Sequence, residues 1–303
     1  MAQFAFPVFY ALFIWWFSTG VIVYLDGLPK SSFRWSMAGA TLLFGVGIGG
    51  LFASAGDRTV VGAYISFTSG LLVWAWQEVS FLMGGVTGPR KQRCPAGCSG
   101  WPHFLHAVQT ILYHELAIAI SGIVMIALTW GASNQVGTWL FVTLWVMRLS
   151  AKLNVFLGVP NLSEEFLPEH LAFLEGFLTR RPMNLFFPLA VTAATIAAVL
   201  LVQRAATADA SLFEQTAYTF TAAMLVLAII EHWFLVLPLP ATALWKWSLG
   251  SHGQPTAQER PAGPRVGDGR VSPAKSPHIH TLATRNMAEP DVGPCRDEAV
   301  LTV

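Results

Sequence analysis

The stretch HFLHAVQTILYHELAIAISGIVMIALTW, residues 103–130, is long and apolar enough to cross a lipid bilayer as an α-helix. It carries His114 and Glu115 well inside its apolar run. Polar groups at such depth in a membrane are costly, and they usually have a partner or a function. The stretch therefore predicts a membrane span and a buried polar site, and the other apolar segments are interpreted around it.

The composition also indicates a membrane protein. Of the 303 residues, 54% are hydrophobic and 12% are charged, whereas about a quarter of the residues in a soluble domain are charged. The net charge is +1, and the sequence has no basic stripe or DNA-binding motif, so we expect membrane lipid and no nucleic acid as a partner. The three cysteines are too few for a disulfide scaffold.

Seven segments have the length of about 20 apolar residues that a spanning helix needs. They cover residues 4–25, 34–54, 59–85, 104–130, 136–157, 183–203 and 212–237. They predict an all-α fold, a polytopic transmembrane bundle of about seven spans within a membrane domain over residues 1–249. Pro, Gly, Ser, Arg and Asp then dominate residues 250–303, which predicts a disordered cytoplasmic tail.

The basic residues of the connecting loops predict the orientation of the bundle. Most of them fall in the first, third and fifth connections, as Lys30, Arg34, Arg90, Lys91, Arg93, Arg180 and Arg181. The opposite side carries only Arg58 and Arg204, each with an aspartate nearby. The positive-inside rule then predicts a periplasmic N-terminus and a cytoplasmic C-terminus.

A cytoplasmic amphipathic helix is predicted over about residues 161–178, between the fifth and sixth spans. Asn161 followed by Glu164 fits a helix start, and Pro168 fits a first turn. Apolar residues recur at helical spacing opposite several glutamates. We expect Glu169 and His170 of this helix to lie as a roof over the polar residues of the spans.

Polar residues of four spans are predicted to meet in the cytoplasmic half of the bilayer. This polar cluster comprises Glu78, His114, Glu115, Arg148, Lys152, Asn154, Glu231 and His232. His114 and Glu115 are adjacent, so their side chains point about 100° apart on a helix and address different neighbours. The same holds for Glu231 and His232.

One interpretation of the polar cluster is a network of ion pairs. Glu78, Glu115 and Glu231 would neutralise Arg148 and Lys152 and hold the helices together, because an unpaired charge in hydrocarbon is costly. Transport of protons or a substrate is a further interpretation. Against transport, no span is evidently broken and no inverted repeat is visible in the sequence.

Two other interpretations involve a cofactor. A metal ion, iron or zinc, could be held by Glu78, His114, Glu115, Glu231 and His232, because carboxylates and histidines from several helices form the di-iron centres of helix bundles. Those centres use Glu-x-x-His spacing, however, and the pairs here are adjacent. Alternatively, His114 or His232 could be the axial ligand of a tetrapyrrole of the bacteriochlorophyll or haem type. The catalytic residues, if any, stay unknown.

Cys94 and Cys98 form a C-x3-C pair in a basic loop rich in Gly and Pro. The spacing differs from the C-x2-C of thioredoxin-like and zinc-ribbon sites. In a cytoplasmic loop we expect two reduced thiols. Metal binding together with His103 or His106 is the alternative.

Several longer blocks carry a resemblance to a known family. They are WWFSTGVIVYLDGLP (15–29), WQEVSFLMGGVTGPR (76–90), LYHELAIA (112–119), KLNVFLGVPNLSEEFLPEHLAFL (152–174), RRPMNLFFP (180–188) and EHWFLVLPLP (231–240). These blocks resemble the photosynthetic complex assembly proteins of the PuhE type. The resemblance spans about residues 1–249.

The resemblance implies an integral protein of the bacterial inner membrane, cytoplasmic or intracytoplasmic, that is encoded in gene clusters for the reaction centre of purple and related phototrophic bacteria. It implies a role in bacteriochlorophyll supply or in assembly of reaction-centre and light-harvesting complexes. Subunits of these complexes or pigment-biosynthesis enzymes would be its partners. We expect an accessory protein rather than an enzyme. The alternative is a metal- or haem-dependent membrane enzyme that acts on a tetrapyrrole or another hydrophobic substrate.

Overall fold

Seven long α-helices account for most of the chain that the structure describes. The computed structural model describes residues 2–95, 97–162, 167–238 and 241–249, so the predicted tail lies outside the described residues. The long helices are α1 (Ala2–Asp26), α2 (Phe33–Ser54), α3 (Val60–Leu82), α4 (Gly100–Leu128), α5 (Val136–Leu157), α6 (Phe186–Ala205) and α7 (Leu212–Phe234). Three 3-10 helices (Lys30–Ser32, Glu169–Phe177 and Ala241–Trp245) and a short α8 (Lys246–Leu249) complete the described elements. The predicted all-α bundle is confirmed.

Six of the seven long helices are apolar enough to cross a membrane, which fits a multi-pass membrane protein. The other one, α3, has the length of a span but a lower hydropathy. It lies among α1, α2, α4, α5 and α7, and Ser66, Ser69 and Gln77 on it are buried. α3 can carry these polar residues because its neighbours in the bundle, rather than lipid, cover them.

α3 and α5 run in the same direction and touch backbone to backbone near one end of the bundle. A Cβ atom on Gly137 would lie 2.3 Å from the carbonyl oxygen of Ser66, and one on Gly70 would lie 2.6 Å from that of Gly137. The Gly137 N–H also donates to Ser66 Oγ over 2.9 Å. Small residues allow such close approach between membrane helices. This contact sets the register that later places Glu78 of α3 beside Arg148 of α5.

The connections between the helices alternate between two ends of the bundle, as the sequence predicts. The described residues of three connections, 27–32, 83–95 with 97–99, and 158–162 with 167–185, form one end, here called the Arg-rich end. There Arg93 Nη2 lies 2.6 Å from Glu175 Oε2. At the opposite end Arg58 Nη2 lies 3.0 Å from Glu214 Oε1.

The segment predicted as an amphipathic helix over 161–178 is shorter in the structure and is a 3-10 helix, Glu169–Phe177. Residues 163–166 lie outside the described part of the chain. Asn161 does not begin this helix. Its Nδ2 donates to the carbonyl oxygen of Phe234 over 3.1 Å, so the Asn161 amide serves the end of α7 instead.

The spacing of its apolar residues accounts for the 3-10 form. Leu171, Leu174 and Phe177 recur at every third residue, which matches the three residues per turn of a 3-10 helix. Leu171 and Phe177 are buried. Pro168, in an extended conformation, directly precedes the helix. One side of the segment therefore packs on the Arg-rich end of the bundle, and Glu169 is exposed.

The last described segment, 241–249, turns back onto α1. The indole N–H of Trp16 donates to the carbonyl oxygen of Leu244 over 2.9 Å, and the indole N–H of Trp245 donates to that of Trp16 over 3.0 Å. Gly20 allows the ring of Trp247 to lie against the α1 backbone, because a Cβ there would be 2.1 Å from the ring.

Candidate functional site

Two ion pairs form the centre of the polar cluster, and both use basic residues of α5. Arg148 Nη2 lies 2.8 Å from Glu78 Oε2 of α3, and Lys152 Nζ lies 2.5 Å from Glu115 Oε1 of α4. Arg148 and Lys152 are one helical turn apart, so they share a face of α5. The indole N–H of Trp145 also points to Glu115 Oε2 over 3.4 Å. α5 is thereby joined to α3 and α4 by charge.

His114 lies next to this centre with its ring against Phe81. The two rings are 4.6 Å apart between centroids, and Lys152 Nζ lies 5.8 Å from the centroid of Phe81. His114 is 1% exposed, and its Nδ1 is a buried atom without a hydrogen-bond partner among the described residues. The adjacent residues His114 and Glu115 therefore have different surroundings, as the helical geometry predicts.

The connection after α3 packs against the middle of α4 and covers the cluster from one side. The backbone N–H of His114 donates to the carbonyl oxygen of Thr87 over 2.9 Å. Gly88 makes this approach possible, because a Cβ on it would lie 2.0 Å from the carbonyl oxygen of Gln109. The conformation of residues 84–90 is thus tied directly to the helix that carries His114 and Glu115.

The second face of α5 contacts α7 through His232. Nδ1 of His232 lies 2.8 Å from the carbonyl oxygen of Ala228, and Nε2 lies 2.9 Å from Ser150 Oγ. Because a carbonyl only accepts hydrogen bonds, Nδ1 carries the hydrogen and, in the neutral ring, Nε2 accepts from the Ser150 hydroxyl. Its neighbour Glu231 points elsewhere and accepts a hydrogen bond of 2.9 Å from the indole of Trp15 on α1.

Asn154, one turn after Ser150 on this second face, is fully buried. It contacts Asn184, a residue that was not among the predicted site residues. Asn184 Nδ2, just before α6, lies 3.1 Å from Asn154 Oδ1 and 2.9 Å from the carbonyl oxygen of Gly158. Asn184 Oδ1 accepts from the backbone N–H of Phe187 over 3.0 Å. One amide thus joins the end of α5 to the start of α6.

The structure brings Glu78, Glu115 and His232 into separate contacts with α5, whereas Glu231 contacts α1. Glu78 and Glu115 contact basic side chains, Glu231 contacts a tryptophan, and His232 has protein partners at both ring nitrogens. This geometry favours the ion-pair interpretation. Within the described chain, the one group of three or more metal-ligating side chains with ligand atoms within 4.8 Å of one another lies elsewhere, at Cys94, Cys98 and His106.

The two residues predicted as a roof have different positions. His170 Nε2 donates to the carbonyl oxygen of Leu82 over 2.7 Å, at the end of α3. Its ring also packs edge-on against Phe33, with 6.0 Å between centroids. Glu169 is exposed. His170 therefore fastens the 3-10 segment to the end of the helix that carries Glu78.

Three uncharged polar residues were missed because residues of these types are common. Ser150 holds His232, and Asn184 holds Asn154. Gln77 directly precedes Glu78 in the sequence and is fully buried. Its side-chain amide donates a hydrogen bond of 2.8 Å to Ser121 Oγ of α4. The only sequence signal for Gln77 and Asn184 is their place inside the blocks WQEVSFLMGGVTGPR and RRPMNLFFP.

Comparison with known proteins finds a family and one close relative. Residues 1–256 match a family described as a protein of unknown function (DUF3623). The chain is 39% identical over 252 residues to an uncharacterized 30.4 kDa protein in the puhA 5' region of Rhodobacter capsulatus, a match that covers 80% of this chain and 90% of the relative. No solved structure matches the chain.

Proposed function

We propose that this chain, which belongs to the family described as a protein of unknown function (DUF3623), is an integral-membrane accessory protein for the assembly of photosynthetic complexes. Its role would be to aid bacteriochlorophyll supply or the assembly of reaction-centre and light-harvesting complexes. Its partners would be subunits of these complexes or pigment-biosynthesis enzymes. It would lie in the cytoplasmic or intracytoplasmic membrane with its N-terminus periplasmic.

The observation that carries the proposal is the similarity to a protein in the puhA 5' region of Rhodobacter capsulatus, and the pairing of the charges on α5 adds support for a rigid bundle. Arg148 and Lys152 are each held by a carboxylate of a neighbouring helix. Such pairs fix the relative positions of helices, and replacing one partner leaves a costly charge behind. A bundle that is locked in this way is suited to present a defined surface to other membrane proteins.

The similarity to the relative supports the biological setting. That protein is placed in the puhA 5' region of Rhodobacter capsulatus. The blocks that resemble the PuhE type imply a gene cluster for the reaction centre, which supports the same setting.

The test is deletion of the gene in a phototrophic host, followed by complementation with the wild-type chain. We expect reaction-centre and light-harvesting absorption per cell to fall in the deletion strain and to return with the wild type. Extracted pigments are measured in the same cells. Unchanged complex levels would overturn the proposal.

The pigment extracts separate the proposal from the enzyme alternative. An accessory protein for assembly predicts less bound pigment, with no single biosynthetic precursor in excess. A metal- or haem-dependent enzyme acting on a tetrapyrrole predicts that its substrate accumulates. That result would replace the accessory role with the enzymatic one.

A further inference from the structure

Three side chains at the Arg-rich end converge outside the polar cluster. Cys94 Sγ lies 3.2 Å and Cys98 Sγ lies 3.4 Å from Nδ1 of His106, and the three ligand atoms lie within 4.8 Å of one another. All three residues are half-buried. The two cysteines are not joined by a disulfide. The sequence allows either His103 or His106 as the histidine near the thiols, and the fold places His106 there.

The chain builds this arrangement from a tight turn followed by a helix start. The backbone N–H of Cys98 donates to the carbonyl oxygen of Pro95 over 3.2 Å, which brings the two cysteines to the same side of the turn. Gly97 within the turn has φ +80°, a conformation that favours glycine. α4 begins two residues after Cys98, so its second turn presents His106 to both sulfurs.

The loop that carries the cysteines is held from two sides. Arg93, directly before Cys94, pairs with Glu175 of the 3-10 helix at 2.6 Å. The backbone N–H of Arg90 points to the carbonyl oxygen of Gln109 on α4 over 3.4 Å. These contacts hold the loop beside α4, in addition to the contacts of the two thiols with His106. Such support is what a binding site needs to be formed before its ligand arrives.

The distances match the requirements of zinc. With bonds of about 2.3 Å to sulfur and about 2.0 Å to nitrogen, a tetrahedral Zn²⁺ separates a thiolate from an imidazole nitrogen by about 3.5 Å. The observed separations of 3.2 and 3.4 Å need only a small adjustment. Two thiolates and one imidazole are a soft donor set that suits zinc and excludes magnesium or calcium.

We propose that Cys94, Cys98 and His106 bind one Zn²⁺ ion at the Arg-rich end of the bundle. His106 coordinates through Nδ1, so Nε2 carries its hydrogen, and both thiols lose their protons when the metal binds. Three protein ligands leave the fourth position to water or to an external ligand. The ion ties Cys94 and Cys98 to α4. This site goes beyond the proposed accessory role and does not depend on it.

The first test is the zinc content of the full chain, purified without a polyhistidine tag under reducing conditions. We expect one zinc per chain by mass spectrometry of the element. Competition with a chelator measures the affinity for zinc. Cys94→Ser or Cys98→Ser is expected to weaken this affinity by more than about tenfold, because even the loss of a residue that only supports a metal ligand weakens binding by at least about tenfold. Wild-type affinity in both cysteine variants would overturn the assignment.

Matched controls come from the same chain. His103 lies one turn before His106 on α4, and its ring packs on Phe156 and Phe177 rather than near the thiols. His103→Gln removes this histidine. The double variant His278→Gln and His280→Gln removes the two histidines of the HIH sequence. Zinc is expected to stay at one per chain in both controls, and its loss from either one would contradict the proposal.

A second measurement needs no variant and so does not depend on how variants fold. The wild-type chain is treated with an alkylating reagent, with and without added Zn²⁺, and the modified cysteines are identified by peptide mass spectrometry. Zinc is expected to protect Cys94 and Cys98 while Cys295, the third cysteine of the sequence, reacts equally in both samples. Equal labelling of all three cysteines, or a Cys94–Cys98 disulfide in the reduced preparation, would overturn the zinc site.

Discussion

Lys152 Nζ and Glu115 Oε1 lie 2.5 Å apart, and this ion pair joins the fifth helix to the fourth inside the bundle. About four-fifths of each side chain is shielded from solvent, with 22% of Lys152 and 20% of Glu115 exposed. The pair also lies beside the ring of Phe81 and so beside His114. The charge of each partner is therefore tolerated at this depth because the other one is present.

Removal of one partner is expected to destabilise the bundle strongly. Glu115→Gln leaves the Lys152 ammonium without its carboxylate, and we expect a loss of about 3 kcal/mol in the free energy of unfolding. Arg58→Gln, at the exposed pair with Glu214, is the control and should cost less than about 1 kcal/mol. Unfolding in mixed micelles measures both. Replacement of both partners, Glu115→Gln with Lys152→Met, should cost less than Glu115→Gln alone; an equal or larger cost would contradict the pairing.

Asn184 is expected to act through both ends of its amide. Asn184→Ala removes the donor to Asn154 and Gly158 and the acceptor for Phe187, and we expect a loss of about 2 kcal/mol. Asn184→Asp keeps the acceptor and loses the donor, so its cost should remain substantial. Thermal unfolding in detergent gives both values. If Asn184→Asp were as stable as the wild type, the hydrogen bonds that Asn184 donates would not contribute to stability.

The helix crossing at Gly137 should not accept a single methyl group. Gly137→Ala places a Cβ 2.3 Å from the Ser66 carbonyl oxygen and pushes α5 away from α3. We expect a loss of about 2 kcal/mol or more, as for other overpacked interiors. Gly45→Ala on α2 has open space around the new atom, so its effect should stay within about 1 kcal/mol. Yield and melting temperature of the two variants, purified side by side, provide the comparison.

The contact of His170 with Leu82 predicts a local effect. His170→Ala removes one hydrogen bond at the end of α3, and we expect a loss of about 1 kcal/mol with faster hydrogen exchange in residues 167–178. Glu169→Ala, at the exposed neighbour, should leave exchange in this segment unchanged. If both variants exchange at the wild-type rate, His170 does not hold the segment.

The orientation of the bundle is tested by reporter fusions. A reporter fused after residue 250 is expected to be cytoplasmic, and one inserted at Asp209, in the connection between α6 and α7, is expected to be periplasmic. Alkaline phosphatase and a fluorescent protein report the two sides independently. The opposite pattern would reverse the proposed orientation and place Cys94 and Cys98 in the periplasm.

The long helices were predictable because length and apolar composition alone identify a membrane span. Boundaries differ from the predicted ones by a few residues; α4, for example, begins at Gly100 rather than at residue 104. α3 is the instructive case, since Gln77 and Glu78 lower its hydropathy yet its place among other helices makes both residues tolerable. Hydropathy describes the average polarity of a segment of sequence, and it does not show which neighbouring helix covers a particular residue.

The partners within the polar cluster were only partly predictable. Lys152 was one of the partners expected for Glu115, because opposite charges at similar depth attract. The ion pair between Arg148 and Glu78 depends on the register between α3 and α5. The backbone contact at Gly137 sets this register, and no local sequence pattern reveals it. Contacts made by serine or asparagine are harder still, because these residues occur at many positions without such a role.

The 3-10 segment shows the limit of periodicity at short length. Apolar residues at Leu171, Leu174 and Phe177 fit one face of an α-helix for two turns and fit a 3-10 helix better. The use of Asn161 at the end of α7 then removes the expected helix start. The first difference follows from the local spacing of the apolar residues, and the second arises from a contact with a distant part of the chain.

The hydrogen bonds that join Trp16 to Leu244 and to Trp245 have a consequence for biogenesis. The chain is synthesised from its N-terminus at roughly 5 to 20 residues per second, so α1 precedes Trp245 by roughly 10 to 50 s. During that interval the carbonyl group and the indole of Trp16 lack the partners that they have in the finished protein. Among the described residues, α1 therefore gains contacts that form only after residue 241 has been synthesised, and a chain that stops before residue 241 would lack them.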